Sequence, residues 1–389
     1  MPYDVAVRRL LAAALIGSAA LLIAGCSAGS QKPAAAAGAT SPAGATVSAS
    51  PAPSASPSGL SAPTVPAPST SGPLRVLLRD PLPVQSSAFL GVVAAEAPDG
   101  AVFAAFGPQQ TGTPAAPAGT AVYVVDGDEP AQVAEHPAIP LAALAADSTY
   151  LYAGGGNHII AYSRATGSVA RTWTVASPVR LMAAGAGRLW AVLGSVGGPG
   201  QVVEISPGSA AVTTVGTDTA NVTSVAAGPL GLYYVESGGA TIVRISPNGT
   251  RLEAPTRQTV NQQLSGPAAI QAISVIGNQL FVVHDAGQGL DSSSQTYDAS
   301  TLAGPQENAP GTAGSNHAIG SLAGAVDRSG PDAMDCSAAG CVGRYNVATG
   351  AITDAVTFPQ SDRFGPLLGP YPALIVFPPS GRVHVDRIG

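Results

Sequence analysis

The sequence is short of lysine, cysteine, aromatic residues and charge. Lys32 is the single lysine among 17 basic residues, three cysteines serve 389 positions, aromatics make up 5% and charged residues 10%. With a net charge of −6 and no basic patch, the chain lacks the electrostatic footprint that nucleic acid demands, so nucleic acid is not an expected partner. Helical periodicity is almost absent too, which turns attention to strands. The longest uncharged apolar run, Leu10 to Ala24, has fifteen residues, short of the roughly 20 that a membrane-spanning helix needs.

That run follows Arg8 and Arg9 and reads as the apolar stretch of an export signal. It ends in Ile23-Ala24-Gly25-Cys26, which resembles the bacterial lipobox. The resemblance implies cleavage before Cys26 and acylation of that cysteine, palmitate included. Residues 1–25 are thus the expected signal peptide. The expected address is the extracytoplasmic face of a bacterial membrane, held there by lipid. Without the signal, 15 basic and 22 acidic residues remain, a net charge of −7.

Residues 27–72 are nearly all Ala, Ser, Pro, Gly and Thr, with Lys32 their only charge. Such composition cannot bury enough apolar surface to offset the entropy of ordering, so 26–72 is expected to be a disordered stalk behind its lipidated cysteine. Its root-mean-square reach is roughly 35–40 Å. The remaining cysteines, Cys336 and Cys341 in DCSAAGCVGRY, form an even pair in an oxidising compartment and are expected to join as a local disulfide. Closing so small a loop contributes about 2 kcal/mol.

Residues 73–389 repeat one pattern: a short apolar strand, a strand with an aromatic residue near its start, a third strand ending in a Gly turn, and usually a fourth. The second strands read AVFAAF, YLYAG, RLWAVL, GLYYVE, QLFVVH, AMDCS and ALIVF. Anchored on Phe103, Tyr152, Trp190, Tyr233, Phe281, Asp335 and Ile375, they are spaced 49, 38, 43, 48, 54 and 40 residues apart. A mean of about 45 is a propeller-blade period. The expected fold is all-β: a β-propeller of seven four-stranded blades. A sandwich or solenoid is the alternative. The seventh unit stops at its third strand, RVHVDRIG, while PLRVLLRD at 73–80 is a strand to spare. Pairing the two would close the ring and remove two open sheet edges.

On a propeller, the ends of the second strands share a face with the connections into the next first strands, where ligands often bind. Three residues beyond each anchor come Phe106, Gly155, Leu193, Glu236, His284, Ala338 and Pro378. Glu236 and His284, with Asp285 beside it, are the titratable ones and fall in adjacent blades. They are the candidate ligand, metal or acid–base residues at the channel mouth; the plainer alternative is that they cap hairpins. The long connections 107–119 and 285–294 lie on the same face. Asp126-Gly127-Asp128-Glu129 lacks the spacing of a calcium loop and suits a hairpin tip. His136, His158, His317 and His384 have no histidine at a ligand-like spacing. Asn221 and Asn248 begin glycosylation sequons, which carry little weight in a bacterial chain.

The stretch GPLGLYYVESGGATIVRISPNGT (228–250) resembles the repeat of virginiamycin B lyase-like and NHL-type propellers, and 183–209 is a weaker copy. The resemblance implies a propeller. For the lyases it also implies a glutamate and histidines around a divalent metal that opens a cyclic ester by elimination. Glu236 stands at the family's glutamate, whereas Gly238 occupies the place where a histidine is looked for. The expectation is therefore a monomeric, lipid-anchored binding or scaffold module for a protein, peptide or glycan, with no cofactor required. Its alternative is a lyase or hydrolase dependent on a divalent metal.

Overall fold

The computed structural model describes residues 73–389 except 87–89, 109–115, 126–130, 196–197, 218–221, 223, 237–240, 256–268, 286–292, 305, 309–314, 320–321, 326–340, 346–351, 360 and 370. Described backbone forms β-strands joined by turns. In chain order they are β1 (Val76–Gln85), β2 (Leu90–Glu96), β3 (Val102–Pro108), β4 (Val122–Val125), β5 (Gln132–Glu135), β6 (Ala143–Ala146), β7 (Tyr150–Gly155), β8 (His158–Ser163) and β9 (Val169–Thr174). Then come β10 (Val179–Gly185), β11 (Arg188–Gly194), β12 (Gly200–Ile205), β13 (Val212–Thr217), β14 (Val225–Gly228), β15 (Gly231–Glu236), β16 (Thr241–Ile245) and β17 (Arg251–Pro255). The last are β18 (Ala269–Ile276), β19 (Gln279–Asp285), β20 (Ser293–Asp298), β21 (Gln306–Asn308), β22 (Ser315–Ile319), β23 (Leu322–Ala325), β24 (Cys341–Tyr345), β25 (Ile352–Thr357), β26 (Arg363–Leu368), β27 (Ala373–Phe377) and β28 (Arg382–Ile388).

Among the described residues these strands make seven four-stranded antiparallel sheets, six of them from consecutive strands. The exception is β1-β28-β27-β26, in which the first strand is the outer edge of the last sheet. The inner strands β2, β6, β10, β14, β18, β22 and β26 each touch the next, and β26 returns to β2. The fold is a closed β-propeller. β1 runs antiparallel to β28 from Val76 opposite Ile388 to Gln85 opposite Arg382. It extends five residues past the expected 73–80. Its two prolines inside the strand, Pro81 and Pro83, are tolerated because the outer edge has no further neighbour needing their missing N–H groups.

The core lies between sheets, so the second strand of each blade is covered on both sides. β3, β7, β11 and β27 are buried almost end to end, which is why their sequences read as continuous apolar runs. The side chains alternate between two interfaces. Trp190 and Tyr234 pack between the third and fourth sheets, whereas Tyr233 packs with Leu280 and Val282 between the fourth and fifth. The outer strands β9, β13 and β17 are largely exposed and carry Thr, Arg and Glu.

The small residues of the inner strands answer to close approach. A Cβ added to Gly228 on β14 would stand 2.7 Å from Cγ1 of Val275 on β18. Tight turns use glycine differently: Gly231 opens β15 at φ +126°, and its Cβ would lie 2.0 Å from the carbonyl oxygen of Ile245.

One strand falls elsewhere than expected. The second place in the sixth sheet belongs to LAGA at 322–325, between β22 and β24, rather than to AMDCS at 333–337. LAGA pairs with β24 from Leu322 opposite Arg344 to Ala325 opposite Cys341. The segment AMDCS has no aromatic residue at its anchor, and it lies outside the described residues.

Candidate functional site

Hairpin geometry divides the propeller into two faces. Short turns join first to second strands, such as Ala186-Gly187 between β10 and β11, and third to fourth strands, such as Ser246 to Thr250 between β16 and β17. They define a turn face. The opposite, loop face carries the second-to-third connections and those into each inner strand. Thirteen residues separate Pro108 from Val122, thirteen separate Pro255 from Ala269, and fifteen separate Ala325 from Cys341. All three connections start and finish at strand ends on the loop face.

Both predicted blade positions end on that face. Glu236 closes β15 opposite Thr241. The backbone of His284 pairs with Ile270 and Ser293, and that of Asp285 with Ala269. Only the backbone of these two is described, so their chemistry lies outside the described side chains. Glu236 has a partner of its own. Arg251 reaches from β17 across its sheet and donates from Nη2 to Glu236 Oε2 at 2.8 Å and from Nη1 to the Tyr234 hydroxyl at 3.0 Å. Its Nε pairs with Glu253 at 2.5 Å. Burial pulls the Arg251 pKa down, but Glu253 and Glu236 more than offset it and hold the guanidinium charged. Burial, with Glu236 beside it, raises the Tyr234 pKa, so the phenol stays neutral. The other carboxylate oxygen, Oε1, is buried with no hydrogen-bond partner. Arg251 thus pairs with one oxygen of Glu236 and leaves the other without a hydrogen bond.

A second charged group was not anticipated. Asp386 on β28 is fully buried. Arg79 of the closing strand grips it with two bonds, Nε to Oδ1 at 2.9 Å and Nη2 to Oδ2 at 2.7 Å. His384 Nδ1 lies 2.8 Å from Oδ1. Burial by itself would raise the Asp386 pKa, but His384 and Arg79 outweigh it and hold the carboxyl below its ordinary value. Nearby Asp362 is pushed up by burial despite the pull of His384 and Arg79. The sequence did carry a signal: His384 and Asp386 are two apart on a strand and so share a face. The partner Arg79, 307 positions away, gave none.

The turn face is fastened by arginines. Arg164 donates to Asp99 of the neighbouring sheet at 2.7 Å. Arg244 donates to the carbonyls of Ala299 and Ser300 in the next sheet. Arg387 donates to the carbonyls of Gly100 and Tyr371 and lies 3.4 Å from Glu96. Burial holds Glu96 well above the ordinary carboxylate range, against the pull of Arg387.

The other predicted residues are scattered. His136 Nδ1 lies 3.3 Å from the Gly119 carbonyl, and His158 opens β8 in an exposed position. His317 is in β22 and Cys341 opens β24, each described by backbone alone. The Asn248 side chain accepts from Ser246 and Thr250 within its turn. Cys26, Cys336, Asn221, residues 126–129 and most of the 107–119 and 285–294 loops lie outside the described residues. Among the described residues no group of three or more His, Cys, Asp or Glu comes together as metal ligands.

Comparison with solved structures agrees on the fold. The chain is similar to a streptogramin B lyase structure, with TM-score 0.53 and 14% identity over 82% of this chain and 98% of that one. It is equally similar to the Cps50 (Swd1) β-propeller domain of Myceliophteria thermophila, with TM-score 0.53 and 11% identity over 81% and 99%. Identities this low show the propeller and nothing of the chemistry. No family model and no curated protein matches the chain.

Proposed function

We propose that the chain is a lipid-anchored protein of the bacterial cell envelope whose propeller binds a protein, peptide or glycan through its loop face. The observation that carries this reading is the unequal construction of the two faces. Short turns and the arginines Arg164, Arg244 and Arg387 tie the turn face together, whereas the connections of 13 and 15 residues all link strand ends on the loop face. Long connections on a rigid scaffold are the usual place for recognition. The lipobox at 23–26 and the stalk that follows supply the anchor. Arg251 favours this reading over a metal-dependent lyase or hydrolase at Glu236, His284 and Asp285, because its guanidinium sets a positive charge 2.8 Å from one oxygen of Glu236, which opposes a cation there.

The test is site-specific photo-cross-linking in intact cells. A photoreactive side chain replaces Ser380, in the β27–β28 connection on the loop face, or Thr213 on the outer strand β13. Adducts from position 380 and none from 213 are expected. Adducts confined to 213 would instead make the protein a scaffold that works through the sides of its blades.

A further inference from the structure

The seventh sheet meets the sixth across an uneven set of charges. His384 and Asp386 alternate on β28 with Val383 and Val385, so they share the face of Ile388, which packs with Val342 and Phe358 of the sixth sheet and its exit. Their side chains are 10% and 0% exposed. Arg79 on β1 takes both oxygens of Asp386, so that carboxylate is already matched by one positive charge. Asp362, in the connection from β25 to β26, is a second carboxylate. It is half-buried, its N–H donates to the Pro359 carbonyl at 3.0 Å, and the charges of His384 and Arg79 both act on it. Two carboxylates against one arginine leave a negative charge over.

Among the described residues, the elements around this group leave the matching charge to His384. On the sixth sheet Arg344 of β24 stands opposite Asp354 of β25, and Asp354 also accepts from the Leu74 N–H. β27 contributes the apolar Leu374 and Val376. Arg363 at the start of β26 and Arg382 at the start of β28 are exposed to water. Histidine is the side chain suited to change charge between about pH 5 and 8. A positive charge added inside a packed seam needs a carboxylate to face. His384 has two, Asp386 with Oδ1 at 2.8 Å from Nδ1, and Asp362.

We infer that His384 takes up a proton to bridge Asp386 and Asp362, so that mildly acid conditions fasten the connection from the sixth blade to the seam where β1 closes the seventh, and alkaline conditions loosen it. A histidine whose charged form gains partners on folding contributes stability that is complete on the acid side and is lost as pH rises. The fastening is independent of the lipid anchor and of any partner on the loop face.

The His384 ring is followed by NMR of the full chain labelled at histidine, its signal assigned by its loss in His384→Gln. Urea unfolding midpoints of the wild type, His384→Gln and Asp362→Asn are compared at about pH 5.5 and about pH 8. Glutamine keeps a donor for Asp386 but takes no proton, which separates the charge from the hydrogen bond. The expected result is a ring protonated on the acid side, a wild-type midpoint that falls toward the alkaline side, and a smaller fall in both substitutions. A ring that keeps one charge state throughout, or a fall of equal size in all three proteins, overturns the fastening. Should His384→Gln fail to fold, the wild type against Asp362→Asn decides alone: a smaller fall in Asp362→Asn supports the bridge and an unchanged one overturns it.

Discussion

Asp386 shows how one residue ties the closing strand to the rest. Its carboxylate, itself shielded from water, takes both prongs of the half-exposed Arg79 and the ring of His384. Asp386→Asn would leave Arg79 and His384 facing a neutral amide. Because Arg79 remains half-exposed, the expected loss is about 2–4 kcal/mol, below the full cost of breaking a buried pair, read by urea unfolding at neutral pH. The pH dependence has a definite sign. A carboxyl held below its ordinary value contributes stability that is complete above an unfolded pKa of about 3.9 and disappears as pH falls through the lower folded one. The wild type should weaken across that acid window, and Asp386→Asn should weaken less steeply. Gly231 makes a steric counterpart. At φ +126°, with the Ile245 carbonyl against its missing Cβ, Gly231→Ala should cost at least about 1–3 kcal/mol and lower the melting temperature.

At the level of elements, the closure through β1 is the most exposed to test. Deleting residues 73–80 removes the first half of the strand that covers β28, including Arg79. Hydrogen exchange should then lose protection first in β26–β28, before β10–β12 on the far side of the ring. Uniform loss of protection would mean that the ring opens as one unit. The closure was legible because the repeat ended one strand short and a spare strand stood at the other end. Second strands were legible through their continuous apolar runs, and turns through Gly167 and Gly249, both at positive φ. The sixth blade misled because AMDCS fitted the spacing while lacking an aromatic anchor, and LAGA is too short and small-sided to announce itself. Charge pairs were illegible for a different reason. Arg251 meets Glu236 across an intervening strand and Arg79 meets Asp386 across 307 positions, so each contact exists only once register is fixed.

The whole molecule combines a ring whose cores lie between blades with two faces of unlike construction. Its turn face is bound by arginines that reach from sheet to sheet, and β1 begins there opposite the end of β28. The loop face bears the long connections and the residues first singled out, of which Glu236 is already paired. The proposed role as a binding module rather than a metal enzyme depends on that pairing most of all. The direct measurement is thermal melting of the protein with EDTA and with Mg²⁺, Ca²⁺, Mn²⁺ or Zn²⁺, beside Glu236→Ala and His284→Ala. A metal bound at 100 times its dissociation constant would stabilise the fold by about 2.7 kcal/mol, a readily measured shift. The account predicts the same melting temperature in EDTA and in every metal. A metal-dependent rise that both substitutions abolish would contradict it and make the loop face a metal centre.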